Sequence, residues 1–125
     1  MKYLLDVNVL LAAIWDNHPQ HGRAFAWLSG KSVLLCPLCE LGFLRISSHP
    51  KALNVPMEKA RQLLKRFSDE RNAGWIADDI SGLQGQTKKS EMVTDMYLAE
   101  LASKHGAKLA TFDGGISHAA VEVCS

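Results

Sequence analysis

Short runs of uninterrupted apolar residues alternate along the chain with longer stretches of helical periodicity. Tyr3-Leu4-Leu5 is continuously apolar, as a strand covered on both faces must be, and the segment Lys2 to Asp6 ends at a carboxylate. Ser32 to Cys36 (SVLLC), Trp75 to Ala77, Lys108 to Phe112 (KLATF) and a short final run, Ala120 to Cys124, read as further strands. Between them the spacing changes to three and four. Asn8 to Trp15 predicts a helix, and a second begins after Asn17, with Pro19 near its start, Ala24, Trp27 and Leu28 on one face and Gly30 as its stop. The helix entered through Pro37 carries Glu40, Phe43, Leu44 and Ile46 before Pro50 breaks it. Val55-Pro56 opens the longest, whose stripe is Ala60, Leu63, Leu64, Phe67 and Arg71. From Met92, Thr94, Leu98, Leu101 and Ala102 share a face until Gly106. Ser81 to Ser90, rich in Gly, Gln and Lys, has little periodicity and predicts a surface loop with at most a turn of helix.

Strands alternating with helices over short connections predict an α/β fold, a three-layer α/β/α sandwich around a central, mostly parallel sheet. No repeat or linker divides it, so residues 1–125 are expected to form a single domain.

Composition narrows the class without choosing a function. With 125 residues, 47% apolar, 22% charged and a net charge of +1, the chain can bury one core and is neither disordered nor a highly basic nucleic-acid coat. Lys2 before an apolar stretch imitates an export leader, but Asp6 and Asn8 interrupt it, and no run approaches the roughly 20 apolar residues of a membrane span. A cytoplasmic protein with no membrane association is the expectation. Three cysteines, an odd count, argue against a disulfide framework.

The acidic residues carry the chemistry. Asp6 and Asp113 each follow a predicted strand directly, and parallel sheets bind ligands beyond the carboxyl ends of their strands. Glu40 lies one turn into the helix leaving the second strand, and Asp95 lies in the first turn of the helix feeding the fourth. Each alone reads equally well as a helix cap, a dipole partner or a turn residue. Together on one edge they would repel one another unless a cation neutralised them. Oxygen-only ligation suits Mg²⁺ or Mn²⁺, and that pairing suits phosphodiester hydrolysis.

Rival patterns are present. Cys36-Pro37-Leu38-Cys39 follows a strand and opens a helix, where a redox dithiol would sit, although Leu35 replaces the usual preceding aromatic residue; packing cysteines explain it better. His18 and His21 flank a proline at a helix start and read as surface or capping residues more readily than as metal ligands. Asp6-Val7-Asn8 resembles an aspartyl-phosphate loop, but Asn8 stands where a second Asp belongs. Between Arg45 and Asn72 seven basic residues face three acidic ones, a balance that would attract an RNA backbone if it lay on one surface. Arg45, five residues after Glu40, is the best candidate there for a phosphate contact.

Four stretches taken in order, LLDVNVLLA around Asp6, CPLCELGFLRI around Glu40, VTDMYLAELA around Asp95 and KLATFDGG around Asp113, resemble PIN-domain nucleases, and most closely the VapC-type toxins of bacterial toxin–antitoxin pairs. The resemblance implies a Mg²⁺- or Mn²⁺-dependent endoribonuclease acting on RNA, a homodimer, and inhibition by a small cognate antitoxin. It implies metal binding by Asp6, Glu40, Asp95 and Asp113, with Asn8 and Thr111 as supporting polar groups. Lys88 to Met92 departs from the family, whose members often carry a Gly-His pair before the third motif, so local substrate contacts should differ there. The alternative of another class is a PIN-like module that holds RNA or protein without cutting; metal binding discriminates the two.

Overall fold

The computed structural model describes all residues from Met1 to Ser125. Its strands are β1 (Lys2–Leu5), β2 (Ser32–Leu35), β3 (Gly74–Trp75), β4 (Lys108–Thr111) and β5 (Val121–Val123); its helices are α1 (Val7–Ile14), α2 (His21–Leu28), α3 (Pro37–Ser48), α4 (Met57–Arg71) and α5 (Val93–Lys104). Five strands form one sheet in the order β3-β2-β1-β4-β5, and every pairing is parallel. The sheet is thus wholly rather than mostly parallel. Leu4 and Leu5, neighbours on opposite faces of β1, are both fully buried, as are Leu109 and Ala110 on β4, so both faces of the sheet are covered.

Sequence order dictates which helix covers which face. The chain steps outward from β1 to β2 to β3 and then returns across the sheet to β4, and right-handed crossovers put the outward and return connections on opposite sides. Accordingly α1 packs on α2, α3 and α4, whereas α5 packs on β1 and β4. Helix α5 turns Leu98, Ala99, Leu101 and Ala102 into the core. Gly30 and Gly106 adopt positive φ of 75° and 66° just beyond α2 and α5, a conformation that would strain a side-chain-bearing residue.

Two sequence expectations need adjustment. The third strand is Gly74–Trp75 rather than Trp75 to Ala77, prolonged only by the bond from the Ile76 amide to the Leu35 carbonyl, because Asp78 and Asp79 follow at once on this edge. Thr94 does not join the buried face of α5; it is exposed and lines the cleft described below. Residues 81–90 are irregular apart from a 3₁₀ turn at Gly82–Gln84 and the start of another at Ser90–Met92.

Candidate active site

The first carboxylate is set by the end of β1. The Asp6 amide donates to the Ala110 carbonyl at 3.0 Å, the Asp6 carbonyl accepts from the Leu10 amide at 3.0 Å as α1 begins, and the residue is only 6% exposed. Its side chain therefore leaves the sheet at the junction of β1 and α1. On the neighbouring strand Thr111 is wholly buried and donates its hydroxyl to Asp6 Oδ2 at 2.9 Å. The same Thr111 oxygen accepts the Asp113 amide at 3.1 Å, and Asp113 Oδ1 accepts the Gly115 amide at 2.8 Å. One hydroxyl thus ties the two strand-end aspartates into a single unit.

Electrostatics draw Asp95 into that unit. Burial raises the Asp6 pKa, opposed by the Thr111 hydroxyl and the Val7 and Asn8 amides, with the charge of Asp113 raising it further. Asp95, in the first turn of α5, is pushed up to about 6, first by burial and then by the charges of Asp6 and Asp113. Asp6 and Asp95, both held above their ordinary range, line one acidic cleft, and the exposed Asp113 lies near enough for its charge to act on both. A surface cavity of about 360 Å³ opens beside them, lined by Asp6, Asn8, Arg45, Thr94 and Asp95 among others. Asn8 and Arg45 line the same cavity as Asp6 and Asp95.

Glu40 lies apart. Its Oε1 accepts the indole N–H of Trp75 at 3.1 Å, and its side chain lines a groove between α3 and α4 with Arg61 and Lys65. On α3 the residues that face the cleft are Leu38, Leu41, Gly42, Arg45 and Ile46, one stripe at helical spacing, from which Glu40 is turned away. The structure sets Asp6, Asn8, Arg45 and Asp95 around one cavity, links Asp113 to Asp6 through the Thr111 hydroxyl, and leaves Glu40 outside it on Trp75. No three His, Cys, Asp or Glu side chains stand in ligating geometry as the chain is arranged.

Three of the seven basic side chains between Arg45 and Asn72 are engaged within the chain. Lys65 pairs with Asp69 and Arg66 with Glu70, each at 2.9 Å along α4, and Arg71 donates to the Leu28 carbonyl at 3.1 Å. Cys36 and Cys39 are fully buried free thiols 3.2 Å apart, and the Cys39 thiol donates to the Leu5 carbonyl at 3.0 Å, one residue before Asp6. They pack behind the site. His18 Nδ1 accepts the Gln20 amide and His21 Nδ1 lies 2.8 Å from the Ala12 carbonyl, local roles with no acidic neighbour in them.

Sequence reasoning missed Thr94 as a cleft residue, Trp75 as the partner of Glu40, and the bridging role of the Thr111 hydroxyl. Thr94 adjoins Asp95 at a helix start, which was a usable signal; nothing in the sequence pairs Trp75 with Glu40.

The PIN domain profile matches residues 3–122. The chain belongs to the PIN-domain family. Within it the chain belongs with the VapC ribonucleases: it is 36% identical to Ribonuclease VapC38 of Mycobacterium tuberculosis over 90% of this chain and 86% of that one. Ribonuclease VapC39 of the same organism is 33% identical over 96% and 94% of the two chains, and Ribonuclease VapC44 34% identical over 97% and 92%. The VapBC2 crystal structure from Rickettsia felis, bound to a DNA fragment from their promoter, superposes with a TM-score of 0.66 at 16% identity over the full length of both chains, which establishes the shared fold. The fold places Asp6 and Asp113 just beyond the ends of the adjacent strands β1 and β4.

Proposed function

We propose that this chain is the ribonuclease of a toxin–antitoxin pair, hydrolysing RNA phosphodiester bonds with a divalent cation, Mg²⁺ or Mn²⁺, held by Asp6, Asp95 and Asp113. The observation that carries this reading is the placement of Asp6 and Asp95 on one cavity, with Asp113 tied to Asp6 through the Thr111 hydroxyl. Such a set is under charge stress without a cation and is relieved by one, and carboxylate oxygens suit a hard divalent ion. A bound cation would polarise the phosphate and lower the pKa of the attacking water.

The chain's own groups supply the rest. Thr111 fixes the orientation of the Asp6 carboxylate, so the cleft is built before substrate arrives. Arg45 lines the cavity with Asp6 and Asp95, and its guanidinium would take a substrate phosphate, with the Asn8 amide as a neutral donor at the wall. Glu40 is the fourth carboxylate of the set, and to serve the cleft it must give up the Trp75 indole. Single-stranded or loop RNA is the substrate class, because an unstacked nucleotide can enter a cleft that a paired one cannot.

A small cognate antitoxin is the partner, in keeping with the VapBC2 complex to which the fold is similar. Leu41 and Val93, 64% and 55% exposed, offer apolar anchors for a protein surface at α3 and α5, and a homodimer would bury part of the apolar helices. No helix is long and apolar enough to cross a membrane.

The test is cleavage of a mixed cellular RNA pool by the purified chain with Mg²⁺ or Mn²⁺, alongside chelator and Asp6→Asn controls. Discrete cuts lost in both controls are expected. Cutting that persists in chelator or in Asp6→Asn would overturn the assignment.

A further inference from the structure

A second cavity adjoins the cleft on its β3 side. It measures about 350 Å³ and lies between α5 and the segment that follows β3; Leu38 and Thr94 line both it and the carboxylate cleft, so the two spaces share a wall. A polymer threaded past Asp6 and Asp95 would present its next unit here.

The enclosing segment is anchored to α5. The Tyr97 hydroxyl donates to the Ile80 carbonyl at 2.9 Å, Lys104 Nζ donates to the Asp79 carbonyl at 3.1 Å, and the His105 ring meets Asp79 Oδ1 at 3.0 Å. Ser81 Oγ accepts the Leu83 amide at 3.1 Å, which closes the 3₁₀ turn over the space. Asp79 is therefore occupied in holding the segment down, while its neighbour Asp78 faces the cavity.

The lining selects its ligand by chemistry. Ile80, Met96 and the Tyr97 ring supply apolar walls for a flat heterocycle, and Gln84 and Thr87 supply neutral donors. Its charged side chains are acidic, Asp78 and Glu100, so a phosphate is repelled while N–H donors are welcome. A carboxylate is matched best by two adjacent N–H groups, and of the RNA bases only guanine carries that pair, on N1 and N2, with O6 left to accept from an amide or hydroxyl.

We propose that this cavity holds the base of a nucleotide beside the scissile phosphate, and that Asp78 makes it selective for guanine. The inference rests on the ribonuclease reading for its place in a reaction, but the pocket itself is tested without cleavage. Guanosine, adenosine, cytidine and uridine 5′-monophosphates are titrated in chelator into the full chain labelled at its methionine methyls, and the Met96 resonance is followed beside the same titrations of Asp78→Asn, an exposed substitution. The guanine nucleotide should shift Met96 at roughly ten-fold lower concentration than the other three, and Asp78→Asn should erase that difference. Equal response to all four nucleotides, an unmoved Met96, or selectivity unchanged in Asp78→Asn would overturn the proposal. An unselective pocket in a chain that still cuts RNA with metal would leave the ribonuclease reading standing; a guanine-selective pocket in a chain that never cuts would do the reverse.

Discussion

The Thr111 hydroxyl donates to the buried Asp6 carboxylate at 2.9 Å, joining two residues 105 positions apart at the ends of adjacent parallel strands. It satisfies an anion that burial alone would drive toward protonation. Thr111→Val keeps the shape and removes the donor. It should raise the Asp6 pKa further, weaken cation binding and cost about 1.5–3 kcal/mol of stability at neutral pH, since a hydrogen bond to a charged group is lost in the core. Urea unfolding and calorimetric Mn²⁺ titration check both effects; a variant as stable and as tight as the parent would remove Thr111 from the site.

Asp95 gives the metal-free chain a particular pH dependence. Its folded pKa, about 6, lies above the ordinary value near 4 of an unfolded aspartate. Below about pH 4 both states hold the proton and the group is neutral in the balance. As pH rises from 4 to 6 the unfolded state ionises first, so stability falls and the full penalty stands above about 6. After discounting for partial solvent exposure, Asp95→Asn should gain about 1–2 kcal/mol in chelator at pH 7.5 and nothing near pH 4. Unfolding midpoints across that range decide it, and Mg²⁺ should flatten the parent's decline.

Gly42 sits where α3 crosses α1. A Cβ added there would lie 2.6 Å from Val7 Cγ2, and Val7 follows Asp6 directly. Since the branched valine has little rotamer freedom, Gly42→Ala should push α1 and with it Asp6, costing about 1–3 kcal/mol and much of the activity. Val7→Ala in the same chain should restore both. A double variant no better than the single would mean that the space is not what Gly42 supplies.

Trp75 reports on Glu40. If the glutamate moves to the cleft when the site is charged with Mg²⁺, it releases the indole, and the exposed Trp75 should change its emission on Mg²⁺ addition. Trp75→Phe should abolish that change and bind Mg²⁺ at least as tightly. Emission that is identical with and without saturating Mg²⁺ would keep Glu40 out of the ligand set.

Arg45 is expected to act on substrate alone. Arg45→Ala should leave Mg²⁺ affinity intact, weaken RNA binding, and lower the slope of log affinity against log salt by about 0.7. Filter binding of a single-stranded RNA in chelator across a salt series measures it, and an unchanged slope would assign the phosphate contact elsewhere.

The alternation of apolar runs with helical stripes was enough to give the order of elements, the α/β class and the positions of Asp6 and Asp113 at strand ends, because burial on one or two faces imposes a period that any reader of the chain can see. Where a polar side chain goes once its element is placed has no such period. Glu40 turned to Trp75, Thr94 turned to the cleft and Asp78 turned to the second cavity were decided by which helices the crossovers laid side by side. The chain itself determined that Asp6 and Asp113 would stand beyond strand ends of a parallel sheet; the packing of α5 and α3 decided that Asp6 and Asp95 line one cavity while Glu40 turns to Trp75, because contacts between residues far apart in sequence arise only when the layers close.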